Sequence, residues 1–311
     1  MSIGQVGQPL LQTATVSVAA TVGEWLQVHH PTFGRVQVTC PVTWRTQATV
    51  TLHPQPGPYP QSKHRPPHWA ADDEEIPLQP KAVQILQQVA ATNHIPLDHI
   101  EVRVQSPVPE GKGFASSTSD LVALSAAIGQ AAHAPISPPD MHAMAISIEA
   151  TDAIMYPGLV TATLDEAQVL RTHRATPPVA FVTVIPSASL ETVHQPESTP
   201  QPEADRLLQA MQTALTDQHL PTMGRLATES GSLAQDRIHT PHWDLVNAIG
   251  QAYDGLGVII GHSGTLSAVI CDTTHRAHTS RLQELTAILA AETGYPVATA
   301  TPDLAGPLTH A

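Results

Sequence analysis

Charge is what this sequence has least of. Charged residues make up 13% of its 311 residues, about half the usual share. Lysine is nearly missing: Lys63, Lys81 and Lys112 are the only three. With a formal net charge of −13, the chain carries no basic footprint for nucleic acid. A ligand bearing phosphates would need local compensation from backbone amides, Lys112 or a metal ion. Cysteine is limited to Cys40 and Cys271, which lie far apart and match no C-x-x-C spacing; reduced thiols in the cytoplasm are the simplest account. No window approaches the roughly 18 apolar residues that span a bilayer, so no membrane partner is expected. Met1 to Thr15 lacks a basic region followed by an apolar run, so no secretory signal is expected either.

Hydrophobic residues reach 41%, an ordinary globular share. The length suits two domains or one large one, burying roughly 75% of the extended surface. Eighteen histidines invite a metal reading, but no set fits. His64 and His68 lie in a Pro-rich stretch that cannot be helical, and His29, His30, His239 and His242 form no ligand pattern. Histidine replacing lysine on the surface is the simpler account.

The stretch that organises the chain is Pro107 to Asp120. Before it, Ile100, Val102 and Val104 alternate with polar residues, as in a half-buried strand. After it, Leu121 to Ala132 reads as a helix. Small and hydroxylated residues therefore sit at a strand-to-helix junction. There, loop amides and the unpaired donors of the first helical turn favour an anion. Gly111 and Gly113 let a ligand approach closely. Ser116, Ser117 and Thr118 offer hydroxyls to a phosphate or a metal ion. An N-capped helix after a Pro-Gly turn is the plain alternative. It explains less well why two glycines, a lysine and three hydroxyls crowd one loop.

Around this junction the pattern is mixed. Thr13–Ala20, Gly34–Thr39 and Gln47–His53 read as strands, with Val22 to Gln27 as a turn. Pro54 to Pro80 reads as the least structured stretch, a surface loop or mobile insertion carrying the acidic cluster Asp72–Glu75. Lys81–Asn93 has a helical stripe, and Asp140 N-caps a helix to about Glu149. A turn over 150–158 leads to a hairpin, 160–164 with 168–171. Pro177-Pro178 marks a domain boundary, giving expected domains 1–176 and 177–311. Beyond it come a buried strand at Val179–Ile185, a polar loop to Pro202, and helices near 203–217, 221–236 and 242–253. Two strands around a Gly-rich turn, a helix at 278–292 and a last strand at 296–301 complete an α+β sandwich.

The loop is not a Walker A motif, because Gly113 follows Lys112 where a hydroxyl residue belongs. It is not a dinucleotide fingerprint, because Ser116 replaces the third glycine. Nor is Gly261–Thr265 a hydrolase elbow, which would need glycine at 265. Pro109-Glu-Gly-Lys-Gly113-Phe-Ala-Ser116-Ser117-Thr118 instead resembles the second motif of the GHMP kinases, P-x-x-x-G-L-G-S-S-A. Phe114, Ala115 and Thr118 depart from the pattern. The form Gly-Lys-Gly-x-Ala-Ser-Ser-Thr resembles the L-threonine kinase branch, which serves cobalamin biosynthesis. Three further stretches agree in order. Gly23-Glu24-Trp-Leu-Gln27 is similar to Gly-Glu-Leu-x-Gln, although Val28 replaces the next glycine. Glu149-Ala-Thr151-Asp152 is similar to Glu-Pro-Thr-Asp, and Gly261-His-Ser263-Gly264-Thr265 to the Gly-rich third motif.

The resemblance implies a two-domain α+β GHMP kinase fold, with a ribosomal-S5-like N-terminal domain and an α/β-sandwich C-terminal domain. It implies ATP-dependent phosphorylation of the L-threonine hydroxyl with Mg2+. Pro109, Gly111, Lys112, Gly113, Ala115, Ser116, Ser117 and Thr118 would bind nucleotide, and Ser117 and Glu149 the metal. Asp152 would be the base, with Lys112 beside it in the chemistry. Glu24, Gln27, Thr151, Gly261, Ser263 and Gly264 would contact substrate. Each residue keeps a plainer reading: a helix-end charge for Glu149, a solvated lysine for Lys112, an Asx-turn for Asp152 and a tight hairpin for Gly261–Gly264. Homoserine or another small alcohol, or a non-catalytic nucleotide sensor, are the alternatives. Convergence of Ser117, Glu149 and Asp152 on one cleft discriminates them. A homodimer is left open.

Overall fold

The computed structural model describes residues 11–65, 74–173, 176–188, 200–275, 278–303 and 308–310. The first ten residues, Asp72 and Asp73, and most of the expected loop before Pro202 lie outside them. Three sheets and seven α-helices make up the described chain.

The first sheet is built around β1 (Gln12–Ala20), β4 (Val42–Leu52) and β7 (Ile100–Gln105). β1 and β4 pair antiparallel from Gln12↔Leu52 onward, and β4 pairs antiparallel with β7. Val16, Val18, Val50, Val102 and Val104 turn to one buried face, the alternation that a one-sided sheet requires. Two helices cover it: α1 (Pro80–Thr92) and α2 (Ser116–Ala131). α2 packs on β1, β4 and α1 and is buried over most of its length. It starts at Ser116, five residues before the apolar run that marks it in the sequence. α3 (Pro138–Ile146) packs beside it, capped by the Ser137 hydroxyl, which accepts from the Asp140 amide. Asp140 is therefore inside the first turn, not the cap.

The Pro-rich segment is not structureless. β5 (Gln61–Arg65) runs parallel to β7, and β6 (Glu74–Pro77) pairs antiparallel with β5. At the other edge, β14 (Leu308–His310) pairs with β1.

A second sheet has the order β2 (Leu26–His30), β3 (Gly34–Thr39), β8 (Leu159–Thr163), β9 (Val169–His173). β2 begins within the stretch expected to be a turn. The third sheet is β11 (Gly257–Ile260), β12 (Ser267–Asp272), β10 (Val179–Val184), β13 (Val297–Ala300). β10 is buried at every position and flanked by β12 and β13, which accounts for its unbroken apolar run.

α4 (Ala204–Thr216) and α5 (Leu220–Ala234) pack on β2, and α5 also packs on β11. α6 (Trp243–Ala252) and α7 (His278–Thr293) cover the third sheet. One apolar cluster joins Trp25, Val36 and Phe114 to Phe181, Met211 and Met223. Trp25 and Phe181 meet edge to face at 5.9 Å. Among the described residues, no helix is long and apolar enough to cross a membrane.

Candidate active site

A cavity of about 610 Å³ opens where α2 begins, walled by residues from all four motif stretches. The loop leading into α2 holds unusual backbone. Gly111 and Gly113 have φ of 68° and 94°. Ala115, the residue before the helix, has φ 57° and ψ 32° and provides no side-chain cap. A left-handed residue there turns the chain sharply. The amides of Ser116, Ser117 and Thr118 lie in the first helical turn, where intrahelical acceptors are lacking. The dipole of a 16-residue helix adds a positive end at that point.

The Gly-rich turn at 261–264 clamps this loop from behind. A Cβ on Gly264 would lie 2.0 Å from the Gly113 nitrogen, and one on Gly113 would lie 2.5 Å from the Gly261 Cα. The Leu266 amide donates to the Lys112 carbonyl at 3.0 Å, and the Thr21 amide to the Phe114 carbonyl at 3.1 Å. Gly261 and Gly264 thus act on the loop's backbone and are absent from the cavity lining, whereas Ser263 and His262 face it. Burial, then Arg237, pushes the His262 pKa down to about 3, so its imidazole is neutral.

Ser117, Glu149 and Asp152 all line this one cavity. So do Gly111, Gly113, Ala115, Ser116, Thr118, Glu24 and Gln27. Pro109 and Thr151 do not. The Thr151 hydroxyl donates to the Glu149 carbonyl at 2.8 Å, which fixes the turn that presents Asp152. Lys112 differs most from expectation. Its ammonium donates to the carbonyls of Ser187 and Ala188, and Lys112 is not part of the cavity wall. Burial holds its pKa below the ordinary lysine value. Its role here is to pin the segment after β10 to the loop.

Asp152 accepts a hydrogen bond from Gln37 Nε2 at 2.9 Å. Burial raises its pKa to about 6; the Gln37 bond works against that rise, and the Glu149 charge adds to it. Such a carboxyl can take a proton near neutral pH. Glu24 is 5% exposed, and burial, then the nearby Asp152 charge, raises its pKa well above the usual range. Glu149 pairs with Lys81 from the first turn of α1. Its second oxygen, Oε1, is buried without a hydrogen-bond partner. That orphaned oxygen and the Ser117 hydroxyl line the same cavity, a donor set suited to a hard cation that keeps several waters.

Sequence reasoning missed Gln37, Lys81, Asp120 and Lys63. Lys63, in β5, is 1% exposed. Its ammonium donates to Asp120 Oδ2 at 2.6 Å and to Glu110 Oε1 at 2.9 Å. Burial works against its charge, but the two carboxylates raise its pKa on balance. Both partners line the cavity. All three lysines of the chain therefore serve this one region. Their scarcity was the available signal.

Residues 80–158 match the family model described as GHMP kinases N terminal domain. Over that stretch the chain resembles a GHMP kinase N-terminal domain. Those residues run from α1 through the loop, α2 and α3 to the turn bearing Asp152. An L-threonine kinase from Citrobacter freundii is 25% identical over 242 residues, 76% of this chain and 78% of that relative. The homoserine kinase from Cytophaga hutchinsonii superposes with a TM-score of 0.69 at 14% identity, covering 100% of each chain. The mevalonate diphosphate decarboxylase from Enterococcus faecalis, studied for its ATP binding, gives 0.71 at 13% identity over 97% of this chain and 99% of its own. The two-domain α+β fold is that of the GHMP kinases, and the chain resembles the L-threonine kinases among them.

Proposed function

We propose that this GHMP kinase transfers the γ-phosphoryl group of ATP to the hydroxyl of L-threonine, yielding O-phospho-L-threonine and ADP. One observation carries the reading: Asp152, with its pKa near 6, shares a single cavity with the N-terminus of α2. A proton acceptor and an anion cradle on the same cavity are what phosphoryl transfer needs, since positioning and charge stabilisation dominate its catalysis. Asp152 takes the hydroxyl proton, the threonine oxygen bonds to the γ-phosphorus, and the bond to the β-phosphate oxygen breaks. The amides of Ser116, Ser117 and Thr118 receive the phosphate charge. Ser117 and Glu149 would hold Mg2+, with Lys81 orienting Glu149 from its other oxygen. The ion would supply charge neutralisation on the phosphates. The product would feed the aminopropanol arm of cobalamin, in the cytoplasm, where Cys40 and Cys271 stay as free thiols.

The test is ADP release with Mg-ATP against L-threonine, homoserine, L-serine and sugar alcohols. Turnover with L-threonine well above the others is expected. Turnover with homoserine alone would move the assignment to that acceptor, and none with any would overturn the kinase reading.

A further inference from the structure

Between Glu110 and Ser116 the loop holds Gly111, Gly113 and Ala115 in left-handed backbone, at φ of 68°, 94° and 57°. Such backbone, at alanine above all, persists only where its surroundings fix it. The Gly-rich turn fixes the middle of the loop. Its two ends meet at one ammonium group. Lys63 Nζ donates to Glu110 Oε1 at 2.9 Å, where the loop begins, and to Asp120 Oδ2 at 2.6 Å, one turn into α2. Glu110 and Asp120 line the cavity, and Lys63 lies behind them, 1% exposed. The two carboxylates keep it charged against the cost of burial. Lys63 is itself anchored from both sides, opposite Val104 of β7 and Ile76 of β6. The carbonyl of the next residue, His64, accepts from the Ser106 amide at 3.2 Å, at the root of the same loop. The Pro-rich segment before α1 thus delivers one side chain to both ends of the loop.

We propose that Lys63 is a positioning residue for the nucleotide, clasping Glu110 to Asp120 so that the loop and the first turn of α2 keep the geometry that meets the phosphates. This rests on the kinase reading above and gives the Pro-rich segment its part in that site. The clasp acts in two ways. It holds the amides of Ser116, Ser117 and Thr118 where the phosphate oxygens arrive, and a misplacement of about 1 Å at such a site can cost about 10²-fold. It also offsets two carboxylates on the cavity wall that would otherwise repel a polyanion. Charge-assisted bonds suit the task, being short and about twice as strong as neutral ones. The two effects separate experimentally. Removing one carboxylate together with the lysine restores the charge balance, but it does not restore the link between the ends of the loop.

The experiment uses the full chain carrying Lys63→Met and Asp120→Asn together. Lys63→Met alone leaves two buried carboxylates uncompensated and risks unfolding; the double variant loses one cation and one anion and keeps the net charge of the cluster. Thermal melting checks that it folds. Calorimetric titration with Mg-ADP, without acceptor, is expected to show binding about 10-fold or more weaker than in the native protein. In turnover, KM for ATP rises by a similar factor while KM for L-threonine stays within about twofold. A second readout needs no nucleotide. The amides of Thr21, Ser119 and Leu266 donate to the loop carbonyls of Phe114, Ala115 and Lys112. Their hydrogen exchange is expected to quicken by about 10-fold beyond any change in the amides that pair β1 with β4. Native ADP affinity in the double variant overturns the proposal and leaves the kinase reading standing. Weaker ADP binding with exchange unchanged also overturns it, since Lys63 would then act through charge alone. No ADP binding by the native protein overturns the kinase reading and the proposal together, a result told apart from the others by the native titration itself.

Discussion

Gln37 donates its side-chain N–H to Asp152 Oδ1 across 2.9 Å, from strand β3 to the turn after α3. That bond favours the charged carboxylate, while burial opposes it and leaves the pKa at about 6. Activity that needs ionised Asp152 is lost as pH falls through about 6. Replacing Gln37 by leucine removes a bond to the charged form and so raises the Asp152 pKa further. The acid limb of kcat/KM is expected to move to higher pH in Gln37→Leu. A limb at the same pH in both proteins would take Asp152 out of the base role.

Asp152→Asn separates chemistry from stability. kcat should drop by about 10²-fold or more, the usual scale for a general base, with ATP binding unchanged. The melting temperature at pH 7.5 should rise. A carboxyl whose folded pKa lies above its unfolded value stabilises fully below the unfolded value, and that contribution is lost as pH rises through about 6. Scanning calorimetry reads the effect; a lower melting temperature contradicts the buried-charge account.

Lys63→Met strands Asp120 and Glu110 without their cation. Removing one partner of a buried ion pair costs about 3–5 kcal/mol, read by denaturant unfolding. Adding Asp120→Asn removes the more buried of the two charges, whose side chain is 7% exposed against 33% for Glu110. The double variant should recover much of the loss. A double variant as unstable as the single would show that Lys63 acts through packing alone.

The loop before α2 should respond in opposite senses at two neighbouring positions. Gly113→Ala places a methyl 2.5 Å from the Gly261 Cα at a φ of 94°, so ATP binding should be lost. Ala115→Gly relaxes a left-handed residue at φ 57° and should stabilise by about 1 kcal/mol. Nucleotide titrations and melting curves of both variants check the pair.

Much of this site lay open in the sequence because it is local. The strand at 100–105, the loop, the hydroxyls at 116–118 and the Glu149–Asp152 turn lie within one stretch of chain, and their chemistry reads directly from residue type. The cavity wall supplied from a distance did not. Gln37 looks like any half-exposed strand residue until β3 is set beside the turn at 152. Lys63 looks like a loop lysine until β5 joins β7 in parallel, a pairing that no local alternation signals. The apolar run marks α2 only from Leu121, although the helix starts at Ser116. Ser-Ser-Thr-Ser has weak helix propensity, and burial against β1 and β4 overrides it. Lys112 was misplaced because its partners, the carbonyls of Ser187 and Ala188, come from beyond the Pro177-Pro178 boundary.

The apolar cluster that unites Trp25 and Phe114 with Phe181, Met211 and Met223 bears on how the chain can be divided. Cutting at 176/177 would halve a single core, so neither fragment would bury its own Trp25 or Phe181 face. Expressed together, the two pieces should assemble through that shared surface and rebuild the cavity between them. Such a split enzyme would report association of any two proteins fused to its halves.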